Sequence, residues 1–285
     1  MAAVLDGKAT AVKVKNSVAS KVADYIAHGG RVPSLAVILA GENPASQVYV
    51  RNKKKDCEEV GILSSVYVLP ADTSKKELLD LVSFLNSDPE TDGILCQLPL
   101  PRREDENEVL EAILPDKDVD CFHPYSAGRL FQGNPLMLPC TPAGIIRLLD
   151  EYGIQIEGKR CCVVGRSNIV GKPAAMLLLS RSGTVTVCHS RTPDLASHTR
   201  SADILVCAVG KAGIITGDMV KPGAAVIDVG MNRGADGKLC GDCDFDSCSG
   251  VAEWITPVPG GVGPMTRAML LENTLTAYRI HEGIV

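Results

Sequence analysis

The chain has no apolar run near the roughly 20 residues that a helix needs to cross a bilayer, which argues against a helical membrane protein. Its first segment, "MAAVLDGKATAVKVKNSVASKVADYI", lacks the unbroken apolar core of a signal peptide, because lysines and acids interrupt it. A cytoplasmic protein, with no membrane partner, is the expectation. A basic tail or stripe is also missing. The formal net charge is -5 over 285 residues, so no electrostatic footprint for nucleic acid is expected. Fixed-period repeats and low-complexity linkers are absent too. What remains is 45% hydrophobic and 22% charged, enough to build a core in one large or two ordinary domains.

Cysteine, by contrast, is plentiful. The eleven residues are odd in number, and Cys96, Cys162, Cys188 and Cys207 sit inside apolar, strand-like runs. Thiols there act as small hydrophobes in a reducing compartment, not as a disulfide framework. In "CGDCDFDSC", Cys240 and Cys243 have C-x2-C spacing, but no second pair or histidine follows at a zinc-site distance. No metal is therefore expected.

Short β-rich runs alternate with helix-like segments. Strands are expected at 34–41, 65–71, 92–101, 160–165, 184–190, 203–210, 224–230 and 253–260, with helices at 5–27, 46–60 and 74–86 in the first half. Near-continuous apolar strands flanked by helices indicate parallel sheets covered on both faces. The fold class is α/β with two α/β domains. A Gly/Pro-rich stretch, "FQGNPLMLPCTPAG", marks the boundary, and a helix from about Pro142 to Tyr152 leads onward. This divides the chain into 1–139 and 140–267, the second Rossmann-like, with a C-terminal helix over 268–285 placed on the first domain.

"VVGRSNIVGKPAAMLLL" follows a strand and opens a helix. Backbone N–H groups and the positive helix end then face an anion together, which makes a phosphate site. Gly165 and Gly171 are spaced G-x5-G, not G-x-G-x-x-G, so a strand-to-helix turn without a ligand is the alternative. The next strand ends in His189, Ser190 and Arg191, where NAD sites usually carry an acid. Ser and Arg receive a 2′-phosphate that an acid would repel, and Arg166 adds a second cation. NADP is therefore expected over NAD, unless Arg191 is only a solvated loop residue.

"YVRNKKKDCEEVG" contains three adjacent lysines. On a helix with Tyr49 at zero, Val60 falls at about 20°, Lys53 at about 40°, Cys57 at about 80° and Val50 at about 100°. Lys54, at about 140°, lies on the edge of this apolar arc, and Lys55, at about 240°, on the polar side. Lys53 is one turn from Tyr49. Its ammonium either snorkels to water or stands partly desolvated beside the phenol, suited to proton transfer. Three loops at strand ends complete the set: "QLPLP" from Gln97, "KDVD" with Asp118 and Asp120, and "TPVPGGVGPMT". Ligands of open α/β sheets bind at such ends. Alternatively, Gln97 caps a strand, an aspartate caps a helix, and Gly260–Gly263 is a plain turn.

"SQVYVRNKKKDCEEVGI", "GILCQLPLP", "PDKDVDCFHPYSAGRL", "PCTPAG", "VVGRSNIVGKP", "TVTVCHSRT", "VIDVGMNR" and "ITPVPGGVGPMT" together resemble the bifunctional methylenetetrahydrofolate dehydrogenase/cyclohydrolase family. The resemblance runs from about residue 5 to 280 and rests on eight motifs in order. It implies NADP-dependent oxidation of 5,10-methylenetetrahydrofolate to the 5,10-methenyl form, then hydrolysis to 10-formyltetrahydrofolate. It also implies a homodimer and a folate cleft between the domains. By the same resemblance Lys53 assists the hydrolytic step, Gln97 tunes its amine, Tyr49 stacks on the aminobenzoyl ring and Asp120 anchors the pterin. Leu98, Pro259, Gly260, Gly263 and Pro264 border the folate. Gly165, Arg166, Ser167 and Ser190 meet NADP, and Met231 lies where the backbone passes the nicotinamide. Cys121 stands where glycine is usual, Met231 where isoleucine is usual, and Cys243 replaces an apolar residue. A dehydrogenase without cyclohydrolase, one acting on another small substrate, and a non-catalytic NADP-binding sensor are the other readings. The retention of Tyr49, Lys53, Gln97 and Asp120 weighs against them.

Overall fold

The computed structural model describes residues 1–234 and 237–284; Ala235, Asp236 and Val285, the last of these within the expected C-terminal helix, lie outside the described residues. In chain order the elements are β1 (Ala3–Val4), α1 (Gly7–Ala27), β2 (Ser34–Ala40), α2 (Pro44–Val60), β3 (Leu63–Leu69), α3 (Lys75–Ser87), β4 (Gly93–Cys96), α4 (Glu106–Ala112), α5 (Pro124–Phe131) and α6 (Cys140–Glu151). There follow β5 (Arg160–Val164), α7 (Gly171–Ser180), β6 (Thr184–Cys188), α8 (Leu195–Thr199), β7 (Ile204–Cys207), β8 (Ala225–Asp228), β9 (Asn232–Arg233), β10 (Leu239–Cys240), α9 (Phe245–Ser249), β11 (Trp254–Ile255) and α10 (Val262–His281).

The chain divides into two compact units. One comprises Val12–Cys140 with Arg267–Val285, the other Met1–Ala11 with Thr141–Thr266. The first holds a parallel three-stranded sheet, β3-β2-β4. Its core joins Ile38, Ile94 and Cys96 of the sheet to Leu78, Val82 and Leu85 of α3. Those helix positions are spaced four and three apart, which puts them on one face. Fully burying side chains such as Leu85 contributes about 2 kcal/mol each. Ser74 and Glu77 form a reciprocal capping box that fixes where α3 begins.

The strand expected over 92–101 ends at Cys96, before Pro99 and Pro101, which have no N–H to give a ladder. The helix α10 docks in this unit through Asn273, which donates to the carbonyls of Val119 and Leu138 at 2.7 and 2.8 Å. Farther along, Asp92 is fully buried; it accepts both guanidinium nitrogens of Arg31 and lies 3.2 Å from His281 Nδ1.

The second unit holds a six-stranded parallel sheet in the order β1-β11-β8-β7-β5-β6. Here the N-terminus corrects the expected partition. The expected division puts residues 1–11 in the first domain, yet Ala3 and Val4 pair with Trp254 and Ile255 as the edge strand of this sheet. Leu5 is fully buried, and its N–H donates to the Ile255 carbonyl. The expected strand over 253–260 shrinks to Trp254–Ile255, because Pro257 and Pro259 interrupt it.

Cysteine thiols fill this core: Cys162, Cys188, Cys207, Cys243 and Cys248 pack with Leu205, Val226 and Ile255. All eleven cysteines are free thiols. The hydrogen bond with Cys207 and burial push the Cys243 thiol up, opposed by its hydrogen bond with Cys248. No described helix is long and apolar enough to cross a membrane.

Candidate active site

In the first unit, α2 presents its three lysines unequally. Lys53 is half-buried, while Lys54 and Lys55 are exposed, with Lys55 3.9 Å from Glu59 one turn on. Lys53 Nζ donates to Gln97 Oε1 at 3.0 Å. Gln97 follows the end of β4, and its own Nε2 donates to the Leu98 carbonyl at 2.8 Å. That second bond orients the amide: with nitrogen committed to Leu98, the oxygen is the atom that faces the lysine. An ammonium carries three donors, so one contact to Gln97 leaves two for a ligand or water. Tyr49 is half-buried one turn earlier; burial pushes its phenol up, opposed by the Arg267 guanidinium.

Asp118 and Asp120 take different parts. Asp118 is buried and accepts from the His123 N–H at 2.8 Å and from Ser126 Oγ at 3.1 Å, so it organises the start of α5. Burial raises its carboxyl despite those bonds. Asp120 is half-buried, and its charge reaches the buried thiols of Cys96 and Cys140; the Cys140 thiol also lies within the field of Lys53. Lys53 and Asp120 thus share Cys140 as a neighbour. Between Asp118 and Asp120 and the helix, Cys121 adopts φ of 58°. Only glycine takes that left-handed conformation without cost, so Cys121 stands at a strained backbone position.

One residue of this region escaped the sequence reading. Asp56 is buried and accepts from Lys15 Nζ at 3.1 Å and from Arg267 Nη1 at 2.5 Å, tying α1 and α10 to α2. At seven residues beyond Tyr49 it falls at about 340°, bordering the apolar arc about 20° beyond Tyr49, so the helical angle marks it as an edge position.

In the second unit, β5 lies between β6 and β7, so the chain reverses its direction of winding there. Ligands of open α/β sheets bind at the strand ends of such a switch point. Gly165 occupies it with φ of 127°, and a Cβ there would stand 2.2 Å from the Ala208 carbonyl oxygen. A Cβ on Gly171 would stand 2.3 Å from the Gly165 oxygen. The G-x5-G spacing is therefore a close-packing requirement at the mouth of α7. Ser167 Oγ accepts from the N–H groups of Val170 and Gly171, both at 3.2 Å, which leaves its hydroxyl proton to donate. Arg166, Ser190 and Arg191 are exposed. The turn that carries Ser190 and Arg191 is built by His189, whose N–H meets Thr192 Oγ1 and whose Nδ1 accepts the Arg191 N–H. Met231, half exposed, follows the end of β8.

The expected folate-bordering residues do not all fall in one unit. Tyr49, Lys53, Gln97, Leu98 and Asp120 belong to the first; Pro259, Gly260, Gly263 and Pro264 belong to the second. Gly260 has φ of 116° and accepts the Lys8 N–H, while Gly263 and Pro264 lie in the first turn of α10.

Residues 5–120 match the tetrahydrofolate dehydrogenase/cyclohydrolase catalytic-domain model, and residues 139–282 match the NAD(P)-binding-domain model of the same family. The chain belongs to the tetrahydrofolate dehydrogenase/cyclohydrolase family. Among its relatives, the bifunctional protein FolD of Ruminiclostridium cellulolyticum is 55% identical over 283 residues, 99% of each chain. FolD of Desulfovibrio desulfuricans is 58% identical over 281 residues, 97% of this chain and 98% of that protein. Among solved structures, the bifunctional FolD of Campylobacter jejuni superposes with a TM-score of 0.95 at 48% identity, covering 98% of this chain and 99% of that one. The Trypanosoma brucei enzyme, solved with NADP cofactor and an inhibitor, superposes with a TM-score of 0.93 at 41% identity over 98% of each chain.

Family membership makes the second unit the NAD(P)-binding domain, and its geometry fits that group. The glycine cradle would be filled by any Cβ, and the loops after β5 and β6 present the exposed cations Arg166 and Arg191.

Proposed function

We propose that this protein oxidises 5,10-methylenetetrahydrofolate with NADP to the 5,10-methenyl form and then hydrolyses that cation to 10-formyltetrahydrofolate. The observation that carries the reading is the Lys53–Gln97 contact, a fixed amine in a family defined by dehydrogenase and cyclohydrolase activities. NADP, when bound, supplies the hydride acceptor. Gly165, Arg166 and Ser167 hold its phosphates, Ser190 and Arg191 its 2′-phosphate, and Met231 borders its nicotinamide.

Hydrolysis adds water to the one-carbon unit and breaks one of its two bonds to nitrogen. One water proton ends on the departing nitrogen, and the other leaves to solvent. Lys53 relays the proton, and Gln97 keeps Nζ at a set position while it does so. The raised Tyr49 phenol stays neutral and packs against the aminobenzoyl ring. Asp120 accepts from the pterin amino group. Leu98, Pro259, Gly260, Gly263 and Pro264 line the folate.

A homodimer is part of the proposal. β3 is a seven-residue edge strand with Leu63, Ser65 and Val68 exposed, the kind of edge that proteins usually cover. Sedimentation of the 30.2 kDa chain as a monomer would remove that part.

The test of the activity is a coupled assay with methylenetetrahydrofolate and either NADP or NAD. Methenyl is expected to form faster with NADP and then decay to the formyl product. No methenyl with either cofactor overturns the dehydrogenase reading, and a persistent methenyl signal overturns the cyclohydrolase reading.

A further inference from the structure

Two buried carboxylates in the second unit lie outside every role assigned above. Asp242 is fully buried. Its Oδ2 accepts from the backbone N–H groups of Val209 and Gly210 at 2.7 and 3.1 Å. Its Oδ1 accepts from the Lys211 N–H and from Asn232 Nδ2, both at 2.9 Å. One carboxylate therefore gathers three consecutive amides beyond β7 and one side chain beyond β8. Asp228, the last residue of β8, is buried as well and accepts from the N–H groups of Gly230, Asp242 and Cys243, each at 2.9 Å.

The two acids are linked in series: Asp228 holds the backbone of Asp242, and Asp242 holds the two loops. Glycine is required at the close approaches. A Cβ on Gly230 would stand 2.3 Å from Asp242 Oδ1, and one on Gly241 would stand 1.8 Å from Asp228 Oδ2. The sequence pattern "DVGMN…CGDC" is thus a matched set of two acids and the glycines that admit them.

The segment fixed this way, Val229–Asn232, includes Met231. A carboxylate that accepts several N–H bonds is stabilised by them, and removing it leaves several buried donors without a partner. A packing role alone would not need four donors converging from two strand ends.

We infer that Asp242 is a positioning residue for hydride transfer: it sets the loops after β7 and β8 that carry Met231 at the nicotinamide edge. The inference rests on the reading of Met231 given under Proposed function. Asp242 touches neither cofactor nor substrate in this scheme; it acts through Asn232 and the 209–211 amides.

The test is Asp242→Asn in the full chain, assayed separately for oxidation of methylenetetrahydrofolate and for hydrolysis of supplied methenyltetrahydrofolate. An amide oxygen keeps part of the donor set, but its NH2 group opposes the rest. Dehydrogenase kcat is expected to fall at least tenfold and KM for NADP to rise severalfold, with hydrolysis within twofold of the parent. Unchanged dehydrogenase kinetics, or equal loss of both activities in a protein of unchanged melting temperature, overturns the inference. If Asp242→Asn does not fold, Asn232→Ala removes only the side-chain donor, and the same split, smaller in size, is expected; its absence overturns the inference. A parent protein without dehydrogenase activity would instead overturn the functional reading itself.

Discussion

The two units solve the same problem, holding reactive groups at strand ends, by opposite means. In the first, side chains make the candidate site. Lys53, Gln97, Tyr49 and Asp120 are half-buried, and the Lys53–Gln97 bond is a side chain meeting a side chain. In the second, the backbone makes it. Gly165 and Gly171 pack so closely that no Cβ fits, Asp228 and Asp242 hold loops by their N–H groups, and the residues left to meet a ligand are exposed. The difference follows from what each has to do. Proton transfer needs a particular functional group at a particular point. Binding a dinucleotide needs close backbone approach to phosphates and exposed cations around it. A substitution at Lys53 in the first unit should therefore remove chemistry, and one at Gly165 in the second should remove dinucleotide binding.

The largest expected effect breaks the comparison on the side-chain side. Lys53→Met should lower hydrolysis of methenyltetrahydrofolate by about 10²- to 10⁴-fold, the usual scale for a positioned proton-transfer group. Lys55→Met, on the solvent side of the same helix, should change the same rate by less than about twofold; an exposed i,i+4 pair contributes little. Equal loss in both would remove the angular distinction between the lysines. Gly165→Ala tests the backbone side. Its Cβ collides with the rigid Ala208 carbonyl, so NADP binding should fall by more than about tenfold, with a stability loss of about 2 kcal/mol measurable by urea titration.

A smaller effect should sharpen the cofactor preference. Arg191→Ala should raise KM for NADP by about tenfold and leave KM for NAD nearly unchanged, the scale of one charge-assisted contact. A uniform rise would take Arg191 out of the 2′-phosphate site. The smallest effect concerns Cys121. Replacing it by glycine relieves a left-handed residue, worth about 1 kcal/mol, but removes a buried side chain near Asn273. A net change within about 1 kcal/mol is expected in chemical denaturation, with activity retained. A loss of several kcal/mol would mean that the thiol's packing dominates.

Much of the first unit's chemistry was legible because helical periodicity is a local rule. It separates Lys53 from its two neighbours without any partner being known. Applied to Asp56, the same rule reaches only the border of the apolar arc, and the Lys15 and Arg267 side chains that share the acid come from other helices. The alternation of apolar strands and helices was legible for the same reason. The terminal edge strand was not: two residues carry no periodicity, and Ala3–Val4 become a strand only because Trp254–Ile255 is there to pair with them. Asp228 and Asp242 were hidden differently. Nothing in "GDCDFDSC" tells which aspartate is buried, since burial is set by amides from Val209 to Lys211, more than thirty residues earlier. Glycine beside an acid is the one local trace, and it becomes informative only once close approach is known.

The measurement that tests the division of labour most directly is a crossed assay of Lys53→Met and Gly165→Ala, each measured for both half-reactions under the same conditions. Lys53→Met is expected to keep methylenetetrahydrofolate oxidation within about tenfold of the parent while losing hydrolysis, and Gly165→Ala to lose oxidation while hydrolysing supplied methenyltetrahydrofolate at near the parent rate. If both variants lose both reactions to the same extent, the separation of side-chain chemistry from backbone binding is contradicted.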